Sequence, residues 1–435
     1  MKNVLIETYG CQMNQADSGI VGKVLQDNGY RLTNDEREAD VILINTCAVR
    51  DNAEKRIHNR VRDLKSLKKR NPLLKIGILG CMAERLQDSL INEDKVDIVA
   101  GPDSYRKIHE LIEKAEPVLD TELSKDETYE DIIPLEIDTD GISAFISIMR
   151  GCENFCTYCI VPYTRGRERS RSAKSIVEQA EKLFNEGYRE VTLLGQNVNS
   201  YNYTNGEEHI NFASLMEMVA QINPLLRVRF ATSHPKDISL ELIDVIAKYD
   251  NICKYIHLPL QSGSTRMLQI MNRKYTWEDY KAKIEMIRKK IPNCALSTDI
   301  IAGFCSETLD DHKQTIDAMK WVGYDSAFMF KYSNRPGTVA SKRFEDDIEE
   351  KEKVRRLEEI IEVQRELSLQ SNKNDIGKEF EVLVEGESKR DASKFFGRTS
   401  QNKVVIFDKG ENKKGEYIKV VIESCTSATL FGKNI

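Results

Sequence analysis

The chain has 435 residues, more than one hydrophobic core normally supports, so two or three domains are expected. Its 40% hydrophobic and 31% charged content is that of a globular protein, and no apolar run reaches the length a membrane-spanning helix needs. A net charge of −6 excludes a uniformly basic nucleic-acid binder, while local clusters count for more than the sum.

The N-terminus (MKNVLIETYG) runs straight into an apparent strand without signal-peptide organisation, so the expected location is cytoplasmic. In a reducing cytosol ten cysteines point to metal or catalysis rather than disulfides. Residues 1–116 alternate short apolar runs (Val4–Tyr9, Val41–Asn45, Ile76–Leu79, Val96–Ala100) with helical patterns (Ala16–Asn28, Ala53–Arg70, Ala83–Ile91, Tyr105–Lys114). That alternation predicts an N-terminal parallel-sheet α/β domain. Cys11, Cys47 and Cys81 each follow one of the first three strands directly, which puts them on the carboxyl edge of the sheet, where ligands bind. Gly10 and Gly80 permit the tight turns this needs. Each cysteine could be a small buried residue at a strand end. Three in three favours an iron–sulfur cluster with one iron free of protein ligands; zinc or a redox thiol relay is the alternative.

Residues 117–140 are acidic and aperiodic, and read as a linker. From 141 to about 345, strands are expected at Ala144–Met149, Val191–Leu194, Arg227–Phe230, Tyr255–Leu258, Ala295–Ile300 and Ser326–Phe330. Helical patterns separate them at Ala173–Asn185, Ala213–Gln221, Leu240–Lys248, Tyr280–Lys290 and Leu309–Val322. Six β/α units fall short of the eight of a closed barrel, which predicts a partial (β/α)6 barrel open to a large substrate. The loop leaving its first strand carries Cys152, Cys156 and Cys159, spaced C-x3-C-x2-C. Structural zinc wants four ligands, and His234 or His257 could supply the fourth. A 4Fe–4S cube held by three cysteines leaves one iron open for a small molecule. Cys253, Cys294, Cys305 and Cys425 are scattered and read as structural.

A charged amphipathic helix is expected over 346–370, making 141–371 one unit with its exit helix. The last segment, 372–435, is a run of short β-like stretches (Glu379–Glu385, Lys403–Phe407, Tyr417–Ser424, Ser427–Gly432) broken by glycines, the pattern of a small antiparallel β-barrel. It carries 12 Lys and Arg against 10 Asp and Glu. Lys394, Phe395, Phe396, Arg398, Asn402 and Lys403 could form a basic, aromatic face for single-stranded RNA, or a solvated loop round a core phenylalanine pair. A second basic stretch, Arg165, Arg167, Arg169, Arg171 and Lys174, follows the cysteine loop closely enough to hold nucleic-acid phosphates. The run Arg60, Arg62, Lys65, Lys68, Lys69 and Arg70 reads as a solvent face.

The cysteine loop resembles the signature of radical S-adenosylmethionine (SAM) enzymes. Along nearly its whole length the chain resembles the radical-SAM methylthiotransferases, in their bacterial tRNA-modifying branch. The motifs are TYGCQMN (8–14), NTCAVRDNAEKR (45–56), LGCMAER (79–85), CENFCTYCIVPYTRGRERSR (152–171), GQNVNSY (195–201), TSHPKD (232–237), HLPLQSGS (257–264) and GRTSQNKVV (397–405). The first two separate this branch from its relatives. Two departures stand out: Gly19 where the family usually has an acidic residue, and Cys305-Ser306 where it usually has Pro-Gly.

The resemblance implies two 4Fe–4S clusters, one on Cys152, Cys156 and Cys159 and an auxiliary one on Cys11, Cys47 and Cys81, with SAM as cofactor. It implies that an electron from the first cleaves SAM to a 5′-deoxyadenosyl radical, that the second supplies sulfur, and that a second SAM methylates it. The product expected is a methylthio group on C2 of N6-(dimethylallyl)adenosine at position 37 of tRNA. Gly195 and Gln196 match the family's SAM-contact region, with Asp299 a further candidate. The last domain corresponds to the family's TRAM module, which binds tRNA. Partners implied are the anticodon stem-loop and an electron donor such as flavodoxin or ferredoxin, with no membrane and a monomeric chain. The alternatives are a ribosomal-protein methylthiotransferase and a non-catalytic iron–sulfur RNA-binding redox sensor.

Overall fold

A computed structural model describes residues 1–435 except 49, 50 and 138; Val49 and Arg50 of the second motif therefore lie outside the described residues. The strands β1 (Asn3–Tyr9), β2 (Arg31–Leu32), β3 (Val41–Thr46), β4 (Lys75–Gly80), β5 (Ile98–Ala100) and β6 (Val118–Asp120) form one parallel sheet, in the order β2-β1-β3-β4-β5-β6. β3 is buried along its whole length, as a strand covered on both faces must be. The helix Gln12–Asp27 packs Ile20, Val21, Val24 and Leu25 on one face of the sheet. Ile57, Val61 and Leu64 of Asp51–Lys68 cover the other. Strand order thus reverses between β1 and β3, and the chain leaves these neighbours toward opposite faces. Such a switch point opens a crevice at the carboxyl edge.

The sheet extends past the expected boundary at 116, because β6 adds a sixth strand from the start of the linker. The rest of the linker runs back along the first helix. Leu135 N–H donates to Gly19 C=O at 3.1 Å, and a Cβ on Gly19 would stand 2.4 Å from the Leu135 carbonyl oxygen. A side chain at 19 would therefore meet the linker backbone.

The second domain is the expected open arc. Strands Ser143–Ser147, Glu190–Leu194 and Arg227–Ala231 form one parallel half; Tyr255–His257, Ala295–Ala302 and Ser326–Lys331 form the other. A single parallel bridge, Val228 to Ile252, joins the halves. Val191, Leu193, Val228, Phe230, Ile256 and Ile300 point outward into one core with the surrounding helices. Helices Trp277–Lys290 and Leu309–Val322 start on capping boxes, Thr276 with Asp279 and Thr308 with Asp311. The 24-residue helix Glu350–Lys373 buries Arg356, Ile360, Gln364 and Ser368 along one face, bonding Arg356 to Glu307 and Gln364 to the Tyr324 carbonyl. A hairpin, Asn202–Asn205 with Glu208–Asn211, was not expected from the sequence.

Residues 379–434 close into a five-stranded barrel. The fifth strand, Asp391–Thr399, falls where the sequence suggested only an exposed basic face. The ladder is antiparallel except for one parallel pair, Val405 with Leu430 and Ile406 with Phe431, so the expected all-antiparallel barrel is corrected there. Among the described residues no helix is long and apolar enough to cross a membrane.

Candidate active site

The first-domain cysteines are delivered by the switch point. Asn14 locks the two loops together: its Nδ2 donates to Asn45 Oδ1 and to the Thr46 carbonyl, both at 3.1 Å, while its Oδ1 accepts from the Cys11 N–H and thiol, both at 3.3 Å. Thr46 Oγ1 donates to the Leu79 carbonyl and so draws in the third loop. A Cβ on Gly10 would lie 2.8 Å from Cys47 Cβ, and one on Gly80, at φ +85°, 2.8 Å from the Thr46 carbonyl oxygen. Only glycine lets the loops approach so closely. Cys47 and Cys81 are buried and Cys11 is at the open rim. The Cys47 thiol donates to Cys11 and holds it down at about 6, with help from the Arg165 charge and backbone N–H groups. Burial pushes the Cys81 thiol up, with Arg165 opposing.

Cys152, Cys156 and Cys159 converge on their own loop. Burial raises Cys152 to about 11 and Cys159 to about 12, the latter also feeling the Cys156 charge. Asn154 Nδ2 reaches Cys152 Sγ at 3.5 Å, and Arg273 Nη1 donates to Cys156 Sγ at 3.2 Å. Phe155, between two of the thiols, sits at φ +48°; Thr232, Gln261 and Ser306, on loops after later barrel strands, have positive φ as well. Strained backbone gathers on the edge that carries the thiols.

The two triplets face each other. Met13 and Ala16 of the first helix pack on Leu194 with Phe145 and Ala231, so the first domain caps the carboxyl edge of the barrel. Ile160, next to Cys159, packs against Cys81 and Ala48.

Sequence reasoning missed the layer that joins them. Arg150 Nη1 and Arg165 Nη2 each donate to Asp17 at 2.8 Å, and Arg169 Nη1 donates to Asp103 at 2.8 Å, all with side chains 5% exposed or less. Arg165, Arg169 and Arg171 were expected to hold phosphates. Burial corrects this, since Arg165 and Arg169 bind across the domain interface and Arg171 bonds Gln179 and the Ser175 carbonyl. Of that stretch only Arg167 and Lys174 are exposed.

The C-terminal barrel sits at the opposite, amino edge of the larger one. Arg227 donates to the Arg398 carbonyl at 2.8 Å and Arg229 to the Thr399 carbonyl at 2.8 Å, while Lys254 N–H reaches Ser400 Oγ at 2.8 Å. Lys403 binds Asp375 at 2.6 Å and Asp325 at 3.3 Å. The structure therefore gives Lys403 to docking, not to RNA as expected, and places Arg398 on Glu385 at 3.3 Å. Lys394 lies 3.7 Å from Asp408 and stays partly open beside half-buried Phe396.

On the loops after the second and third barrel strands, Gln196 Oε1, Asn199 Oδ1 and Nδ2, Ser233 Oγ and His234 Nε2 are buried without a hydrogen-bond partner. Lys236 N–H donates to His234 Nδ1, which leaves the proton on Nε2. Burial and the charges of Arg273, Lys236 and Lys274 push this imidazole down to about 2, so it stays a neutral donor. Gly195 is held by packing, since a Cβ there would lie 2.5 Å from Met149 Cγ. Asp299 stands 3.5 Å from His257 Nε2; His257 Nδ1 meets Ser297 Oγ at 2.8 Å, and Phe328 lies edge-on to the imidazole.

The donor chemistry fits a cube. Among the described residues no three His, Cys, Asp or Glu side chains are placed to share one metal ion, and three thiolates on three separate irons need no such convergence. A buried guanidinium on one thiol of each triplet suits an anionic group held there. Orphaned buried polar atoms beside the second triplet suit a polar ligand.

Residues 3–101 match the family described as "Uncharacterized protein family UPF0004", 146–319 the Radical SAM superfamily, and 373–435 the TRAM domain. The chain is 54% identical to the tRNA-2-methylthio-N(6)-dimethylallyladenosine synthase of Parabacteroides distasonis, across 100% of this chain and 96% of the relative. It is 53% identical to that of Chloroherpeton thalassium, across 99% and 95%. Among solved structures, the radical S-adenosylmethionine methyltransferase TsrM of Kitasatospora setae aligns with a TM-score of 0.57 at 14% identity, over 76% of this chain and 73% of that one. The cobalamin-dependent S-adenosylmethionine radical enzyme OxsB aligns with a TM-score of 0.56 at 14% identity, over 79% and 55%. These two likenesses concern the fold alone.

Proposed function

The chain belongs to the family of tRNA-2-methylthio-N(6)-dimethylallyladenosine synthases, and from that premise we propose how its residues divide the work. It is a radical-SAM enzyme that places a methylthio group on carbon 2 of N6-(dimethylallyl)adenosine at position 37 of tRNA. Cys152, Cys156 and Cys159 hold the 4Fe–4S cluster that the superfamily requires; Cys11, Cys47 and Cys81 hold a second, auxiliary one. When bound, the clusters and SAM supply the one-electron and sulfur chemistry needed at a ring carbon that is neither acidic nor electrophilic.

The protein contributes placement, charge and exclusion of water. Arg273 donates to Cys156 Sγ and Arg165 to Cys81 Sγ, which puts a positive charge beside one sulfur of each set. The neutral His234 Nε2–H, Ser233 Oγ, Asn199 and Gln196 present unpaired donors and acceptors to SAM, with Gly195 keeping the loop close; Asp299, beside His257 on the fifth strand, is a further candidate contact. Met13 and Ala16 pack over Leu194, Phe145 and Ala231 and cover that part of the mouth. The target adenine must leave the anticodon-loop stack to enter, at a cost of a few kcal/mol. Arg167, Lys394 and Phe396 remain candidates to meet the RNA. An electron donor such as flavodoxin or ferredoxin serves the first cluster, and the chain acts as a cytoplasmic monomer.

The observation that carries this reading is that Cys11, Cys47 and Cys81 stand at the ends of three neighbouring parallel strands, with Cys81 packed against Ile160, next to Cys159 of the three-cysteine loop. Mass spectrometry of tRNA nucleosides from a strain lacking the gene tests it. The methylthio group should vanish and return with the wild-type gene but not with Cys47→Ala. Full restoration by Cys47→Ala would refute the assignment.

A further inference from the structure

The charges buried between the first two domains do not balance. Arg150, Arg165 and Arg169 bring three positive charges, and Asp17 and Asp103 bring two negative ones, all nearly or fully out of solvent. The neighbouring carboxyl and phenol groups do not supply the third. Glu84 is pushed up to about 8 by burial and by Asp103 and Asp120, so it is neutral at pH 7, and Asp120 lies 3.5 Å from Lys107. Tyr105 and Tyr129 are held far above their usual range by burial and remain neutral. An unbalanced charge in a dry layer is costly unless an anion faces it.

Arg165 is where that excess emerges. Its Nη2 is on Asp17, its Nε donates to Cys81 Sγ at 3.2 Å, and its Nη1 is buried with no partner. It sits at the end of Val161–Arg165, a short helix that begins two residues after Cys159, so the loop of one thiol set delivers the cation to the other. Three thiolates on a cube carrying two positive charges leave one net negative charge, which matches the surplus.

We propose that Arg165 is a positioning residue for the auxiliary site: it supplies the counter-charge to the iron–sulfur group on Cys11, Cys47 and Cys81 and sets its reduction potential. The inference rests on the two-cluster reading above. A nearby positive charge favours the reduced, more negative state, so losing it makes reduction harder.

The test uses the full chain carrying Cys152→Ala, Cys156→Ala and Cys159→Ala, reconstituted anaerobically so that iron binds only at the auxiliary site, with its midpoint potential followed by electron paramagnetic resonance. Arg165→Gln should shift the potential downward and Arg165→Lys by less. Asp17→Asn, which removes a negative charge beside the guanidinium, should shift it upward. An unchanged potential in a folded, iron-loaded Arg165→Gln would overturn the proposal. Should Arg165→Gln fail to fold, an unchanged or lowered potential in Asp17→Asn overturns it instead. A parent protein that binds no iron with Arg165 intact would refute the two-cluster reading, a result distinct from either.

Discussion

Cys152, Cys156 and Cys159 come from one eight-residue loop, whereas Cys11, Cys47 and Cys81 come from the ends of three parallel strands, separated by 36 and 34 residues. The first set needs only local geometry to converge. The second needs the register of β1, β3 and β4, a switch in strand order, two glycines and the Asn14–Asn45 clamp. Their counter-charges differ too. Among the described residues Arg273 has no carboxylate partner; its other bonds go to the Pro259 carbonyl, Tyr158 and Tyr275. Arg165 shares Asp17 with Arg150. A site built on one loop depends on the group it binds for its balance of charge, and a site built on a sheet is partly balanced by the fold.

The largest expected effect separates the two sites by reaction. Cys11→Ala or Cys47→Ala should abolish thiolation while keeping formation of 5′-deoxyadenosine from SAM under a reductant; Cys156→Ala should abolish both. Loss of SAM cleavage in the first pair would end the division of labour.

Next is the contrast between the two arginines in iron-free protein. Arg273→Met should raise stability by about 2 kcal/mol, because a buried charge with no carboxylate is removed. Arg165→Met should change it by less than about 1 kcal/mol, the lost Asp17 bond offsetting the relieved surplus. Urea denaturation of chelated protein reads both, and equal effects would erase the contrast.

Titration sharpens it further. The folded Glu84 carboxyl is pushed up to about 8, so the stability it leaves intact is full below its ordinary pH range and is lost as pH rises through 8. Glu84→Gln should therefore be more stable than wild type at pH 8.5 by about 1 kcal/mol and no more stable at pH 5, by thermal melts. The smallest effect is on the barrel side. Ser306 holds φ +60°, where glycine carries no strain, and Ser306→Gly should stabilise by roughly 0.5 kcal/mol.

The sequence made the strands of both α/β domains legible because each is an apolar run ended by turn chemistry, and it made both cysteine sets legible through spacing and strand-end position. Charge misled. Arg165 and Arg169 look like part of a phosphate-binding stretch until Asp17 and Asp103, 148 and 66 residues away from their partners, are folded against them. Likewise Lys403 looks free until Asp325 and Asp375 meet it. Burial alternates in the second half of Asp391–Thr399, but of the inward residues Phe395, Gly397 and Thr399 only the first is a large apolar side chain, so that strand was hidden among basic residues. Arg273 and Asp17 carried no local signal at all: their roles exist only through contacts distant in the chain.

Iron content is the most direct test of the central claim that two sets of three thiolates each hold a cube. Protein reconstituted anaerobically should carry about eight irons per chain, falling to about four when either Cys11, Cys47 and Cys81 or Cys152, Cys156 and Cys159 are replaced by alanine. About four irons in the wild type, with no loss on replacing the first set, would contradict it.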